Sequence, residues 1–501
     1  MGTRSSLRLS LMQIPVGLFL ITSLFMVHGA FAAVRAPLLD THKYLLEFHR
    51  HPKQVMDAPP TATLLDDAKA AELFREHDLI RRRLCAAAGR SCELDRVADQ
   101  SAIGEPSQIS RFLYEKDYLK TPLEMENKGL RQVVLKTPPW SDSYWPLKLG
   151  LIGRRWMDPS FPNSSKWLDN YNYVLSVPAT LVPIDVMSPA EKYDVLVGDT
   201  SFKLTSAVWG EGHSVASPEG FTPGWAGLCH GWSPAAIMTE TPNHSVAAQA
   251  ANGQMITFYP SDIKALAAMA WGASPPKINL AGTRCNVRHP KEDEVGRVID
   301  ERCQDVNPGT WHVGIVNQLG VDKRSFVVDA NYDLEVWNFP VAAYQYQYFN
   351  PQTLTVSNQL SGSVVRAGEF TIDKFKKYRS PDTKYIVGIS MDMTYVIPIQ
   401  PSRKPNHKSL THTIKYVYDL ELNQKGEIIG GEWYSNFHPG FIWNLPPGSH
   451  TLSKAEYQIG TPLVWDGVSP VSPKLRAAAL ISSPEEQPLG VVVDTLEEMA
   501  K

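Results

Sequence analysis

The sequence has no dense run of lysine and arginine. Its short basic block, Arg81-Arg82-Arg83, sits in a stretch of helical character and reads as a solvated face. With a formal net charge of −3 the chain lacks the basic footprint that binding to nucleic acid requires. Beyond its first residues it has no apolar run near the roughly 20 residues that cross a bilayer, so stable membrane insertion is not expected. No internal repeat is visible. Cysteine is scarce: Cys85, Cys92, Cys229, Cys285 and Cys303 are all there are.

What the N-terminus does have is an export pattern. Arg4 and Arg8 precede an apolar run from Ile14 to Val27, and Ala30-Phe31-Ala32 supplies small residues for cleavage before Ala33. A retained anchor is the alternative, but the run is short for a span. Removing residues 1–32 takes away two arginines and no acids, so the mature charge moves from −3 to about −5. The expected location is secreted, periplasmic or cell-surface, where disulfides persist. Cys85 with Cys92 and Cys285 with Cys303 are close in sequence. Two such local pairs leave Cys229 as the odd thiol, which is either reactive or simply buried.

The character of the chain changes along its length. Residues 33–125 read as a helical N-terminal region. Thr63 to Cys85 places Leu64, Leu65, Ala68, Ala71 and Leu73 on one broad face, and a second helix is expected over Gln108 to Leu119. Residues 126–465 read as the catalytic domain. Thr137-Pro138-Pro139-Trp140 through Trp145-Pro146 is too rich in proline for a helix and is expected to be an ordered loop packed by its own rings. Ser188-Pro189-Ala190-Glu191 reads as a capped helix start. From Tyr385 to Ile397 large residues occupy the odd positions, which predicts a half-buried strand. Tyr416, Tyr418, Leu420 and Leu422 alternate likewise. Asn423-Gln424-Lys425-Gly426 is a turn and Glu427 to Tyr434 returns as a hairpin. Residues 466–501 read as a loosely attached extension. The fold class is α+β with an antiparallel sheet.

The neighbours of Cys229 favour reactivity. Gly224-Trp225-Ala226-Gly227-Leu228-Cys229-His230-Gly231-Trp232 leads into Ser233-Pro234, a cap and a first helical residue. A thiol near a helix N-terminus gains stabilisation of its thiolate, and glycines let backbone N–H groups approach a reacting carbonyl. A core cysteine between tryptophans explains neither the glycines nor the helix start. Such a nucleophile needs a base held by a third group. His312, in Asn307-Pro308-Gly309-Thr310-Trp311-His312, is expected at the start of a strand. Ser325 to Asp329 is expected to be the next strand and to place Asp329 beside the imidazole. His230 adjoins the nucleophile but should point away from it. His213, His244 and His289 lie in polar stretches, His438 is a candidate pocket residue, and Asp333 and Asp419 are rivals for the third role.

With these residues in view the chain resembles the transglutaminase elicitor family, known from plant-pathogenic oomycetes and from bacteria. The resemblance rests on Pro139-Trp140 through Tyr144-Trp145-Pro146, Ser188 through Asp194, the Cys229 segment, Tyr259 through Lys264 and Asn307 through Thr310. Val336-Trp337-Asn338-Phe339-Pro340-Val341 and Ile429-Gly430-Gly431-Glu432-Trp433-Tyr434 complete it. It covers roughly residues 136–445 and implies a papain- or transglutaminase-like thiol-enzyme core. It further implies acyl transfer from a glutamine carboxamide to an amine through a Cys229 thioester. Partners would be proteins carrying glutamine and lysine. In oomycete members the stretch matching Trp337-Asn338 is a surface patch that plants detect. The residues after Val341 depart from that pattern, so elicitor activity is not carried over. Transglutaminase cysteines are usually followed at once by tryptophan, whereas here His230 and Gly231 intervene.

Two rival readings share these residues. A cysteine peptidase or amidase would pass the thioester to water instead of an amine. A non-catalytic wall- or surface-binding module would use the aromatic loop from Trp140 to Pro146. No organic cofactor is implied. Glu292-Asp293-Glu294, between Cys285 and Cys303, is a candidate site for a divalent ion or a solvated loop. The sequons at Asn163 and Asn243 matter only in a glycosylating host.

Overall fold

The alternating runs of the second half build the sheet on which everything else packs. A computed structural model of the chain describes residues 40–57, 109–114, 117–285, 287, 289–303, 305–330, 335–405 and 408–501. The export signal, the helix expected over Thr63 to Cys85, Cys92 and Asp333 lie outside the described residues. The strands in chain order are β1 (Gln132–Val134), β2 (Val246–Gln249), β3 (Met255–Phe258), β4 (Asn279–Gly282), β5 (Val327–Asp329) and β6 (Asn338–Phe349). They continue with β7 (Val356–Ser357), β8 (Val364–Arg366), β9 (Tyr385–Ile397), β10 (Leu410–Leu422), β11 (Ile428–Gly430) and β12 (Phe441–Asn444). The helices are α1 (Thr41–Arg50), α2 (Pro52–Asp57), α3 (Ile109–Phe112), α4 (Pro122–Asn127), α5 (Trp167–Ser176), α6 (Pro189–Leu196) and α7 (Lys203–Val215). After them come α8 (Cys229–Met238), α9 (Pro260–Ala273), α10 (Pro308–Ile315), α11 (Lys454–Ile459), α12 (Pro473–Ser482) and α13 (Gly490–Met499).

The fold is a mixture of helices and antiparallel sheet, as expected. Among the described residues one sheet of ten strands runs β11-β10-β9-β6-β5-β12-β4, with β1 and β7 added to β6 and β8 to β9. Strand β6 carries the sheet across its middle. Its first residues pair with β5, setting Asp329 opposite Asn338. After a register slip between Val341 and Ala343 the rest runs along β9.

Strand β9 has the predicted ends, and the hairpin β10–β11 turns through Asn423 to Gly426. The half-buried reading of β9 needs correction, because Ser390 and Asp392 are buried as well. The face that carries Met391 and Met393 belongs to the main core with Tyr346, Tyr416 and Tyr418. The other face is covered from the N-terminal side. Thr41 of α1 shares a 2.8 Å hydrogen bond with Ser390, and Lys415 pairs with Asp392 at 2.7 Å. Leu45 and Phe48 of α1 and Met56 of α2 pack on Phe349, Val417 and Tyr434. A polar residue beneath a helix satisfies its hydrogen bonds there as readily as in water, so alternation alone does not show which side is wet.

The loop from Trp140 to Pro146 is irregular and buried along its length. Helix α6 starts at the expected cap. Ser188 Oγ accepts from the Glu191 N–H, and Glu191 accepts from the Ser188 N–H at 2.8 Å. The same carboxylate takes a buried fork of hydrogen bonds from Arg155. Cys285 and Cys303 form a disulfide, and Cys229 is a free, buried thiol.

The C-terminal residues are not a loose extension. Leu475 of α12 and Val492, Val493 and Leu496 of α13 are buried in the main core. Helix α13 packs on α9, and α9 in turn packs on α8. The α8–α9 contact is close because of Gly231, where a Cβ would overlap the Ala268 carbonyl oxygen and crowd the backbone of Gly272. Gly231→Ala is therefore expected to lower stability by about 1–3 kcal/mol, the usual cost of overpacking. A thermal midpoint that does not fall would show that the two helices can move apart freely.

Candidate active site

Cys229 is the first residue of α8, with Leu228 in the cap position and no side-chain cap. The helix thus starts earlier than Ser233-Pro234 suggested. Pro234 lies inside it. Ser233 caps nothing; its hydroxyl donates to the Asn338 carbonyl at 2.7 Å and ties α8 to the start of β6. A cysteine in the first turn stands nearer the positive end of the helix than one ahead of it. The glycine-rich approach is held by the aromatic loop. Leu228 N–H donates to the Tyr144 carbonyl at 2.7 Å, Leu147 N–H donates to the Ala226 carbonyl at 2.9 Å, and Pro146 bridges Gly227. At Gly227 a Cβ would strike the Tyr144 carbonyl, so only glycine allows this approach.

The sulfur faces the junction of β5 and β6. The thiol donates to the Val336 carbonyl at 3.8 Å, and Asn338 Nδ2 donates to Sγ at 3.7 Å. Asn338 Oδ1 accepts from Trp443 Nε1 at 2.8 Å. Asp329 ends β5 across from Asn338, and its Oδ1 accepts from the Trp337 N–H at 2.9 Å. Burial pushes the Cys229 thiol up. The backbone and side-chain N–H groups of Asn338 pull it back, the Asp329 charge pushes it further up, and the His230 N–H pulls it down. Cys229 and the Asp329 end of β5 thus meet at Asn338 in a buried setting, where the carboxylate charge opposes a thiolate.

His312 is not brought to them. It lies within helix α10, not at a strand start, and is buried. Its Nδ1 is 2.8 Å from the Tyr418 hydroxyl, and its ring meets Tyr346 and Tyr418 edge-on. Tyr346 lies further along β6 than Asn338, on the stretch paired with β9. The strand expected to carry His312 next to β5 does not form; β5 is flanked by β6 and β12. Burial lowers the His312 pKa to about 3 from its ordinary 6.5. Such an imidazole is neutral when folded and takes a proton when the chain unfolds. Its stabilising contribution is complete above pH 6.5 and is lost as the pH falls toward 3. In denaturant titrations between pH 6.5 and 4, His312→Gln should lose stability less steeply than the wild type. Parallel slopes would sink this account of the residue.

The other candidates have places of their own. His230 follows Cys229 and is exposed. His438 stacks on Trp433, with Nδ1 3.0 Å from the Pro439 carbonyl oxygen and Nε2 3.5 Å from Asp305. Asp419 binds Arg379 on the far side of β10. The acidic run between the disulfide cysteines meets protein partners: Glu292 pairs with Lys53, Asp293 accepts from the Tyr378 hydroxyl and Glu294 pairs with Lys377. Among the described residues no group of three or more His, Cys, Asp and Glu is placed to hold a metal ion. Sequence reasoning missed Asn338 and Trp443. Asn338 stood only as part of a resembling stretch, and nothing local marks Trp443. That stretch is buried here: Trp337, Asn338, Phe339 and Val341 all lie in the interior.

A comparison with curated proteins finds no match. Among solved structures, the crystal structure of the GP42 transglutaminase from Phytophthora sojae is similar. It is 21% identical and covers 68% of this chain and 90% of its own, with a TM-score of 0.47. The sequence matches the transglutaminase elicitor family over residues 113–460, more than two thirds of the chain and the whole of the site around Cys229. The chain belongs to the transglutaminase elicitor family.

Proposed function

We propose that this protein is an exported protein-glutamine γ-glutamyltransferase that works through a thioester on Cys229. The observation that carries the reading is the free thiol in the first turn of α8, met by the Asn338 amide at the end of β5 that bears Asp329, within a member of this family. Export is supported by the Cys285–Cys303 disulfide. Among the described residues no helix is long and apolar enough to cross a membrane.

In this reading the Cys229 thiol keeps its proton at rest, as burial favours, and Asp329 is the base. The proton moves to the Asp329 carboxylate as the sulfur attacks the carboxamide carbon. First-turn N–H groups of α8 hold the oxyanion, a contribution often worth a few kcal/mol. The C–N bond breaks, the nitrogen takes the proton from Asp329, and ammonia leaves. A lysine amine then attacks the thioester, gives a proton to Asp329 and releases the sulfur, which recovers the proton. The partners are proteins carrying glutamine and lysine.

The test is incorporation of a fluorescent primary amine into a glutamine-rich donor protein by the full exported chain, with and without divalent ions. Incorporation with release of ammonia is expected. Deamidation of the donor without incorporation would assign the thioester to water and reject the transferase reading.

A further inference from the structure

Cys229 is buried beside a carboxylate, and both conditions disfavour a thiolate. Something has to counter them if this cysteine is to act. The groups around the sulfur that favour the anion are N–H donors, and two of them belong to one residue, Asn338: its backbone N–H and its side-chain amide.

The amide is not free to turn. Trp443 Nε1 is a donor only, and at 2.8 Å it requires the carbonyl oxygen of Asn338. That leaves Nδ2, the donor end, directed at Sγ. Trp443 lies in β12, which pairs with β5 across Val327, while β5 pairs with β6 at Asn338 itself. The two strands flanking β5 therefore supply the two halves of the contact. Ser233 secures the same residue from the helix side by donating to its carbonyl. Asn338 is thus fixed at its side-chain oxygen and at its backbone oxygen, and the first of these directs its Nδ2 at the sulfur.

From this geometry we propose that Asn338 is a catalytic residue that stabilises the Cys229 thiolate by direct N–H donation, and that Trp443 is the positioning residue that holds its amide in the donating orientation. The assignment rests on the reading of Cys229 as the nucleophile. It does not depend on which acceptor takes the acyl group. Asn338→Ala removes the side-chain donor, and Asn338→Asp replaces it with a second negative charge near Asp329. Trp443→Phe keeps a ring but removes the group that orients the amide.

The experiment is the pH profile of Cys229 alkylation by iodoacetamide in the full-length protein, read by mass spectrometry on the Cys229 peptide so that other cysteines do not interfere. A hydrogen bond to a charged group has a value that corresponds to about tenfold or more in thiolate population. Asn338→Ala should therefore cut the rate at neutral pH by about tenfold or more and move the midpoint upward, leaving the alkaline plateau unchanged. Asn338→Asp should move it further and Trp443→Phe less far in the same direction. Circular dichroism and the thermal midpoint identify a variant that fails to fold, and the remaining variants then decide. An unchanged midpoint in folded Asn338→Ala and Trp443→Phe overturns the proposal. So does a wild-type Cys229 that stays unreactive at every pH. Amine incorporation measured on the same samples separates the two readings. Shifted profiles without wild-type incorporation keep Asn338 and reject the transferase, whereas incorporation with unshifted profiles does the reverse.

Discussion

Cys229→Ala is expected to lower amine incorporation by on the order of a thousandfold or more, since the covalent step has no substitute once the nucleophile is gone. The same substitution should leave the fold intact. The side chain is small, and the sulfur's contacts to Val336 and Asn338 are long. Truncation leaves room for little more than one atom and removes a buried thiol that sits beside a negative charge. A thermal midpoint near that of the wild type together with loss of incorporation is the expected pair of results. Substantial incorporation by Cys229→Ala would place the nucleophile elsewhere. An unchanged biological effect of the variant would favour a binding module over an enzyme.

The largest expected loss of stability lies on the opposite face of the sheet. Arg379 donates two hydrogen bonds to Asp419, at 2.5 and 2.6 Å, and two to Asp373, at 3.1 Å each, and reaches Glu421 at 3.4 Å. All four groups are buried. Arg379→Met keeps the stem and removes the charge, leaving three carboxylates without their cation. Breaking a buried pair from one side costs about 3–5 kcal/mol, to be read from urea unfolding at neutral pH. The deficit should depend on pH. Burial already raises the Asp419 pKa, with Arg379 opposing it, so the variant pushes that pKa higher still. A group whose folded pKa is raised adds stability at low pH and loses it as the pH rises through that value. The deficit should therefore be smaller at pH 5 than at pH 7. A deficit below 1 kcal/mol at neutral pH would mean that water reaches the cluster and screens it.

The sequence was most legible where local rules and tertiary packing agree. Ser188 shows its capping box in four letters, and Tyr385 to Ile397 shows a period of two that the pleat preserves. Of the two local cysteine pairs expected, Cys285 and Cys303 do bond, while Cys85 and Cys92 lie outside the described residues. His312 was misread for a physical reason. Every residue from Pro308 to Ile315 is buried, so helix α10 has no polar face and its apolar run looks like a strand. The informative signal was Asn307-Pro308, a cap and a first-turn proline of the kind read correctly at Ser188. Ser233-Pro234 misled in the opposite direction, offering a start signal inside a helix that had already begun. The tail reads as a loose extension, yet Ser472-Pro473 opens a helix, and Val492, Val493 and Leu496 carry helical spacing. Asn338 was beyond reach of local reasoning. Its role depends on Trp443 and Cys229, each more than a hundred residues away in the chain.

The burial of Trp337 through Val341 bears on how an outside observer would perceive this protein. The side chains of this stretch are turned into the interior against Cys229, Tyr144 and Tyr395. A receptor or antibody specific for them finds no epitope on the folded surface and meets one only after cleavage or unfolding. For this chain the stretch is a cryptic determinant: its recognition would report that the protein has been damaged, not that it has arrived.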